Sequence, residues 1–159
     1  MHAAELKTLR ESVGLSINEL ARMAGAQDHS VRNWESGKTG APENVSSLLT
    51  ALDRMLSISV DAALSFARDR INTDGKPTDI VLLRYKTDAD LWQYQPDFEG
   101  LPVSVHTAML KRARAALADL HVRTSIVEMD TGLYKQWLNG RADNTELRTE
   151  WAGVAGRQR

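Results

Sequence analysis

Between residues 16 and 37 the sequence specifies two short helices joined by a sharp turn. Ser16-Ile17-Asn18-Glu19 has the form of a capping box, in which the serine hydroxyl and the glutamate carboxylate satisfy free backbone N–H groups at a helix start. Gly25 can adopt the left-handed backbone conformation that other residues resist, which predicts an abrupt end to this helix. A second helix is expected over residues 28–35, with Gly37 closing it.

The second of these helices has two chemically different faces. At 100° per residue, one arc contains Ser30, Val31, Trp34 and Glu35. The opposite arc is wholly polar and consists of Asp28, His29, Arg32 and Asn33. The pattern predicts that Val31 and Trp34 pack in a core while the polar arc remains at the surface.

Apolar periodicity extends the helical region on both sides. Leu6, Leu9 and Val13 predict a helix over residues 5–13 that ends at Gly14. Pro42 suits the first position of a further helix, or helix pair, that runs to about Arg70. Its apolar stripe is wider than one neighbouring helix requires, so part of it is expected to face a second subunit.

Residues 72–77 are rich in turn formers and are the expected domain boundary. Beyond them, residues 79–85 and 122–129 have the composition of β-strands, and helices are expected over 88–93, 104–120 and 131–138. The predicted fold is mainly α, with a helical bundle over residues 1–71 and a small α+β domain over 78–140. Residues 141–159 are expected to form a loosely held tail, with at most a short helix near Trp151.

Composition excludes several classes of protein. With no cysteine among 159 residues, the chain can form no disulfide, thiolate metal site or cysteine nucleophile. No apolar run is long enough to span a bilayer, and the N-terminus does not resemble a signal peptide, so we expect a cytoplasmic protein without a membrane partner.

Neither a metal site nor a catalytic set is predicted. His106 and His121 are fifteen residues apart and lack companion ligands, so both are expected to be ordinary surface or core residues. Asp88 and Asp90 lack a companion nucleophile, base or phosphate loop, and helix capping accounts for them. We therefore expect no enzyme activity and no cofactor.

The stretch from Leu15 to Gly25, continued through Val31-Arg32-Asn33-Trp34-Glu35-Ser36-Gly37, resembles without a gap the Cro/C1-type (XRE) helix-turn-helix family. The similarity extends from about Leu6 to Leu56. Arg10 and Glu35 stand where that family often pairs an arginine of the first helix with a glutamate ending the third. The sequence departs from the family at Ile17, where a glutamine often contacts the DNA backbone.

The resemblance implies a DNA-binding domain whose third helix enters the major groove. Base contacts would come from Gln27, Asp28, His29, Arg32 and Asn33, and Ser30 completes the predicted contact set on this helix. Arg32 suits guanine, Asn33 adenine and Asp28 cytosine. Lys38 and Thr39 would hold phosphates and set the register.

The C-terminal half is similar to YdiL-type regulators, which include anti-CRISPR-associated repressors. The similarity rests on Leu83-Arg84-Tyr85, Asp90-Leu91-Trp92, residues 100–106, Tyr134 and Trp137-Leu138, and it implies a dimerisation role. The aromatic residues Tyr85, Trp92, Tyr94, Tyr134 and Trp137 are interpreted as core or interface packing. Lys111, Arg112 and Arg114 are interpreted as a solvated face.

The leading hypothesis is a homodimeric, sequence-specific repressor that reads a palindromic operator in double-stranded DNA. Two alternatives stay open: an antitoxin whose C-terminal half binds a toxin, and a DNA-binding module fused to a ligand-sensing domain. Charge argues against strong nucleic-acid binding, because the net charge is −1 and residues 1–40 carry five basic and five acidic side chains. Two such domains bound to two DNA half-sites would compensate for the weak electrostatic attraction of a single domain.

Overall fold

The computed structural model describes residues 1–75 and 79–157. The helical bounds are α1 Ala3–Ser12, α2 Ile17–Met23, α3 Asp28–Glu35, α4 Glu43–Asp74, α5 Asp88–Tyr94, α6 Val103–Asp119, α7 Thr131–Leu138 and α8 Thr145–Arg157. Two strands, β1 Ile80–Arg84 and β2 Thr124–Glu128, and a short 3₁₀ helix, Pro96–Phe98, complete the described elements. The prediction of a mainly α fold is confirmed.

The predicted stops of the first three helices are confirmed. Gly14, Gly25 and Gly37 have φ values of +82°, +62° and +74°, the left-handed region in which a side chain would be strained. The residue after each glycine donates its N–H to a carbonyl of the last helical turn, over 2.8 Å from Ala26 to Ala21 and 2.9 Å from Lys38 to Asn33. These bonds satisfy carbonyls that a helix end otherwise leaves open.

Residues 72–74, the first part of the turn-rich stretch expected at 72–77, are helical in the structure. Helix α4 is a single helix of 32 residues that continues through Asn72 and Thr73 and is capped by Gly75 with φ +65°. Thr73 Oγ1 donates to the Asp69 carbonyl at 2.9 Å, so a residue with turn propensity is accommodated in the helix. The remaining part of the predicted boundary, Lys76 and Pro77, lies outside the described residues. None of the helices that the structure describes is both long and apolar enough to cross a bilayer.

The two predicted strands are confirmed and pair in parallel. The register runs from Ile80 opposite Thr124 to Arg84 opposite Glu128. Helices α6 and α8 both contact the two strands, and α6 also packs along α4. The small sheet therefore lies among helices, with α6 linking it to the N-terminal half.

The hydrophobic core crosses the predicted domain boundary. One cluster of buried residues includes Leu6, Leu20 and Val31 of the first three helices together with Tyr85 and Tyr134 from the C-terminal half. A second cluster joins Ala67 of α4 to Leu117 and Val122. The chain on either side of residues 72–77 thus contributes to a shared core.

Helix α8 corrects the expectation of a loosely held tail. Asn144 Oδ1 accepts from the Leu147 N–H at 2.8 Å and caps the helix. Trp151 and Ala152 are buried, and the Trp151 ring meets Tyr134 edge-on at 5.6 Å. The buried side of α8, which includes Trp151 and Ala152, packs against the sheet and α7. This packing stabilises a helix in a segment whose exposed positions are mainly polar.

His106 lies in the core of the C-terminal half, one of the two environments expected for it. Its side chain is 2% exposed, and its ring meets those of Tyr85 and Phe98 at 5.3 and 5.1 Å. Burial lowers the pKa of His106 to about 4, because the charged imidazolium would lose its hydration there. His106 is therefore uncharged in the folded protein near neutral pH.

This buried histidine is expected to make the protein less stable in acid. An unfolded histidine has a pKa of about 6.5, so between about pH 6.5 and pH 4 the unfolded chain binds a proton that folded His106 does not. The contribution of His106 to the free energy of unfolding is therefore complete above about pH 6.5 and is lost as the pH falls toward 4. Between about pH 7 and pH 4.5 the loss should be about 2–3 kcal/mol. Urea unfolding of wild type and His106→Phe at both pH values measures this loss as the difference between the two proteins. An equal loss of unfolding free energy in wild type and His106→Phe would contradict the prediction.

Candidate nucleic-acid interface

Helix α2 begins at the predicted capping box. Ser16 Oγ accepts from the Glu19 N–H at 3.2 Å, and Glu19 Oε2 accepts from the Ser16 N–H at 2.7 Å. Leu20 and Ala21 of this helix are buried, and α2 packs against α3. The capping box and this buried face fix where α2 starts and how it meets α3.

Helix α3 is anchored by the apolar arc predicted from its sequence. Val31 is fully buried and Trp34 nearly so, and both belong to the main core cluster. The opposite arc has exposed His29 and Arg32, with Asn33 partly exposed beside them. The prediction that α3 has one core face and one polar surface face is confirmed.

A buried ion pair holds the end of α3 against α1. Arg10 Nε and Nη2 donate to the two carboxylate oxygens of Glu35, the second over 3.2 Å, and Arg10 Nη1 donates to the Leu15 carbonyl over 2.6 Å. The two side chains are only 8% and 9% exposed. The pairing of Arg10 with Glu35 that the family resemblance implied is confirmed, and its two-point geometry fixes the direction of α3.

The structure brings the eight candidate residues together on α3 and the turns that flank it. Gln27, His29, Arg32, Lys38 and Thr39 are exposed, whereas Asp28, Ser30 and Asn33 are half-buried. Within residues 1–75 and 79–157, none of the eight side chains has a hydrogen bond or an ion pair. A continuous polar surface is therefore present whose donors and acceptors are not used by the fold.

The turn after α3 has a defined backbone even though its side chains are exposed. The N–H groups of Lys38 and Thr39 both donate to the Asn33 carbonyl, over 2.9 and 3.3 Å. Ser36 Oγ donates to the same carbonyl over 3.2 Å. Lys38 and Thr39 therefore keep a fixed position relative to the last turn of α3.

Ile17 does not reproduce the polar contact common at its position in the helix-turn-helix family. Its side chain is partly buried and packs against the main core cluster. An isoleucine side chain has no donor for a phosphate oxygen. Any phosphate contact at the start of α2 must come from another group.

A contact between the two halves of the chain was not foreseen from sequence. Ser104 Oγ of α6 donates to Glu19 Oε1 of α2 over 2.9 Å, and a Cβ added to Gly14 would lie 2.5 Å from the Ser104 carbonyl oxygen. Partial burial favours a higher pKa for Glu19, but the hydrogen bonds from Ser16 and Ser104 outweigh it and the pKa is lowered. The ionised Glu19 thus joins the start of α6 to the start of α2. Because residues 19 and 104 are 85 positions apart, no local pattern pointed to their contact.

The basic residues of α6 have different environments. Lys111 and Arg114 are exposed, in agreement with a solvated face. Arg112 differs, because its Nη2 donates to the Ser12 carbonyl over 3.0 Å and to Asp53 Oδ1 over 2.8 Å. Arg112 therefore connects α6 to both α1 and α4.

The aromatic and acidic residues of the C-terminal half are mostly structural. Tyr85, Tyr94 and Tyr134 are buried, which confirms core packing, whereas Trp92 is 37% exposed. The helix cap predicted for Asp88 and Asp90 is in fact Thr87, which accepts from the Asp90 N–H over 3.1 Å. Asp88 Oδ1 instead accepts from the Val103 N–H at the start of α6, over 2.7 Å.

Comparison with known proteins gives one family and no curated relative. A family model described as a domain of unknown function, DUF4447, matches residues 1–155. No curated protein matches the chain. The match spans α1 to α8 almost completely, so the N-terminal polar surface and the C-terminal half belong to the same family unit.

Proposed function

Because the chain belongs to the DUF4447 family, whose description assigns no function, we propose from its sequence and geometry that it is a sequence-specific DNA-binding transcriptional regulator without enzyme activity. The observation that carries the proposal is the unengaged polar surface on α3, anchored by Val31, Trp34 and the Arg10–Glu35 pair. A helix fixed on one side and polar on the other is suited to reading a major groove.

In this proposal α3 is the recognition helix of a helix-turn-helix. Arg32 can donate two bonds to guanine, and Asn33 can both donate to and accept from adenine. Gln27, Asp28, His29 and Ser30 lie at or near the start of the helix, the end from which base edges are usually contacted.

Lys38 and Thr39 are assigned to the phosphate backbone. Their exposed side chains follow the end of α3, while their N–H groups fix the turn on Asn33. A cation and a hydroxyl held in this way can set the position of α3 without reading sequence.

The regulator is proposed to be a homodimeric repressor in the cytoplasm, with α4 contributing to the dimer. Ile58 and Phe66 of α4 are 60% and 51% exposed, the kind of large apolar side chains that a partner subunit would cover. Two copies would place two recognition helices in successive major grooves, about 34 Å apart. Doubling the contacts also offsets the equal numbers of basic and acidic side chains in residues 1–40.

Recognition by α3 is tested on operators selected from a random duplex pool. Arg32→Ala and Asn33→Ala are each expected to lose about 1–3 kcal/mol of discrimination at one base pair, because each removes a base contact from a side chain that the fold does not use. Competition binding against duplexes substituted one position at a time measures this loss.

Two control variants separate base recognition from general charge. Lys38→Ala should weaken binding to all duplexes alike. It should also reduce the slope of log affinity against log salt concentration by the amount expected for about one phosphate contact. Arg114→Ala, which removes an exposed arginine of α6, should leave binding unchanged. Unaltered base preference in both α3 variants would rule out α3 as the recognition helix.

A further inference from the structure

A small cavity lies in the C-terminal half, where β1, α6 and α8 meet. Its volume is about 170 Å³. Residues 81–83 of β1 and Met109 and Leu110 of α6 form an apolar wall, and His106 and Arg148 are among the polar residues that line it. The cavity is distinct from the polar surface of α3.

Two buried polar atoms of residues that line the cavity lack partners in the part of the chain that the structure describes. They are His106 Nδ1 and Arg148 Nε. The rest of the Arg148 guanidinium is engaged, because Nη1 donates to Asp143 and Nη2 donates to Thr145 Oγ1 over 3.0 Å. Buried polar atoms in folded proteins nearly always have a partner, so two such atoms on residues that line one cavity call for a further group.

We propose that this cavity binds a small carboxylate with a short apolar body, whose oxygens accept from Arg148 Nε and His106 Nδ1. The inference does not depend on DNA binding. It assigns a ligand site to a half of the chain for which the sequence suggested dimerisation, toxin binding or ligand sensing.

The size of the cavity limits the size of the ligand. An engineered protein cavity of about 150 Å³ accommodates benzene, which has six heavy atoms. A cavity of about 170 Å³ therefore suits a molecule of similar size, such as a branched four-carbon acid. The apolar wall formed by β1 and α6 suits the hydrocarbon part of such a molecule.

The two unpartnered atoms favour a carboxylate over a neutral group. Arg148 Nε–H is a charged donor, and charge-assisted hydrogen bonds are about twice as strong as neutral ones. Burial keeps His106 uncharged near neutral pH, so its ring carries one N–H that can lie on Nδ1. A carboxylate has two oxygens and can accept from both residues at once.

The probe for a binding test is sodium isobutyrate, with sodium chloride at equal ionic strength as the blank and isobutyramide as the uncharged analogue. Full-length protein is followed by thermal unfolding and by NMR of the histidine side-chain nitrogens, with His106 assigned from the His106→Phe spectrum. Isobutyrate is expected to raise the melting temperature of wild type more than isobutyramide does, and to shift the His106 Nδ1 resonance.

His106→Phe preserves the ring contacts with Tyr85 and Phe98 but removes the polar atom. It should bind isobutyrate roughly tenfold or more weakly, whereas His2→Phe, at an exposed histidine, should bind as wild type does. Thr149→Met, which places a flexible side chain at the cavity, should also weaken binding and serves if His106→Phe does not fold. No isobutyrate effect beyond the sodium chloride blank, equal effects of acid and amide, or undiminished binding by the cavity variants would overturn the proposal.

Discussion

Replacing Glu35 by alanine is expected to lower the free energy of unfolding by about 3–5 kcal/mol. The substitution leaves the Arg10 guanidinium buried at the junction of α1 and α3, with only the exposed Glu11 carboxylate, 3.3 Å away, to balance its charge. Removing one partner of a buried ion pair costs more than the pair itself contributes, because the desolvation of the remaining charge is no longer offset. Urea unfolding near neutral pH measures the loss.

The matched control removes both charges together. In Arg10→Met/Glu35→Leu, apolar side chains of comparable length occupy the same buried space, and the loss should be much smaller than in Glu35→Ala. A free energy of unfolding for Glu35→Ala within about 1 kcal/mol of wild type would show that the pair does not anchor α3 in this way.

Trp34→Ala is expected to destabilise the protein by a similar amount, about 3–5 kcal/mol. The Trp34 side chain fills the space between α3 and the main core, and alanine would leave a cavity there. Because the helix would lose its anchor, DNA binding should weaken for all sequences, unlike the base-specific effects expected for Arg32 and Asn33.

Trp92→Ala is the matched control for Trp34→Ala. Trp92 is 37% exposed and makes one hydrogen bond, from Nε1 to the Leu101 carbonyl over 2.7 Å, so its truncation should cost clearly less. Thermal and urea unfolding of both variants provide the comparison. A melting temperature for Trp34→Ala as high as that of Trp92→Ala would show that Trp34 does not anchor the core.

Features determined by local sequence were predicted accurately. The bounds of α3, the capping box at Ser16 and the stop at Gly25 depend on residues within one or two helical turns of each other. The two faces of α3 follow from its periodicity, and the structure places Val31 and Trp34 inside as expected. The polar face of α3 could therefore be located before the fold was known, while the family resemblance supplied the contact residues proposed on it.

Features determined by distant contacts were missed. Helix α8 is longer than the short helix allowed near Trp151, because Trp151 and Ala152 are buried against other elements, and its local composition gave little indication of that burial. Helix α4 extends into the predicted boundary as far as Asp74, since packing of Ala67 against Leu117 of α6 supports its C-terminal half. Local propensity is a weak guide where tertiary packing supplies the stabilisation.

The cavity beside His106 belongs to the same class of feature. The sequence identified His106 as a histidine without nearby metal ligands, but it could not show that Nδ1 would have no partner among the described residues. That property depends on how α6, α8 and β1 come together. Arg148, which completes the polar pair, lies in the segment expected to be a loosely held tail.

The most direct test of the proposed regulator is fluorescence-anisotropy binding of full-length protein to the DNA upstream of its own coding sequence. A scrambled duplex of equal length is the comparison, and both are titrated across a salt series because affinity depends strongly on salt. The proposal predicts tight binding to the upstream DNA alone, lost in a folded Arg32→Ala/Asn33→Ala variant. Equal, weak binding to both duplexes, or unchanged binding by the double variant, would contradict it.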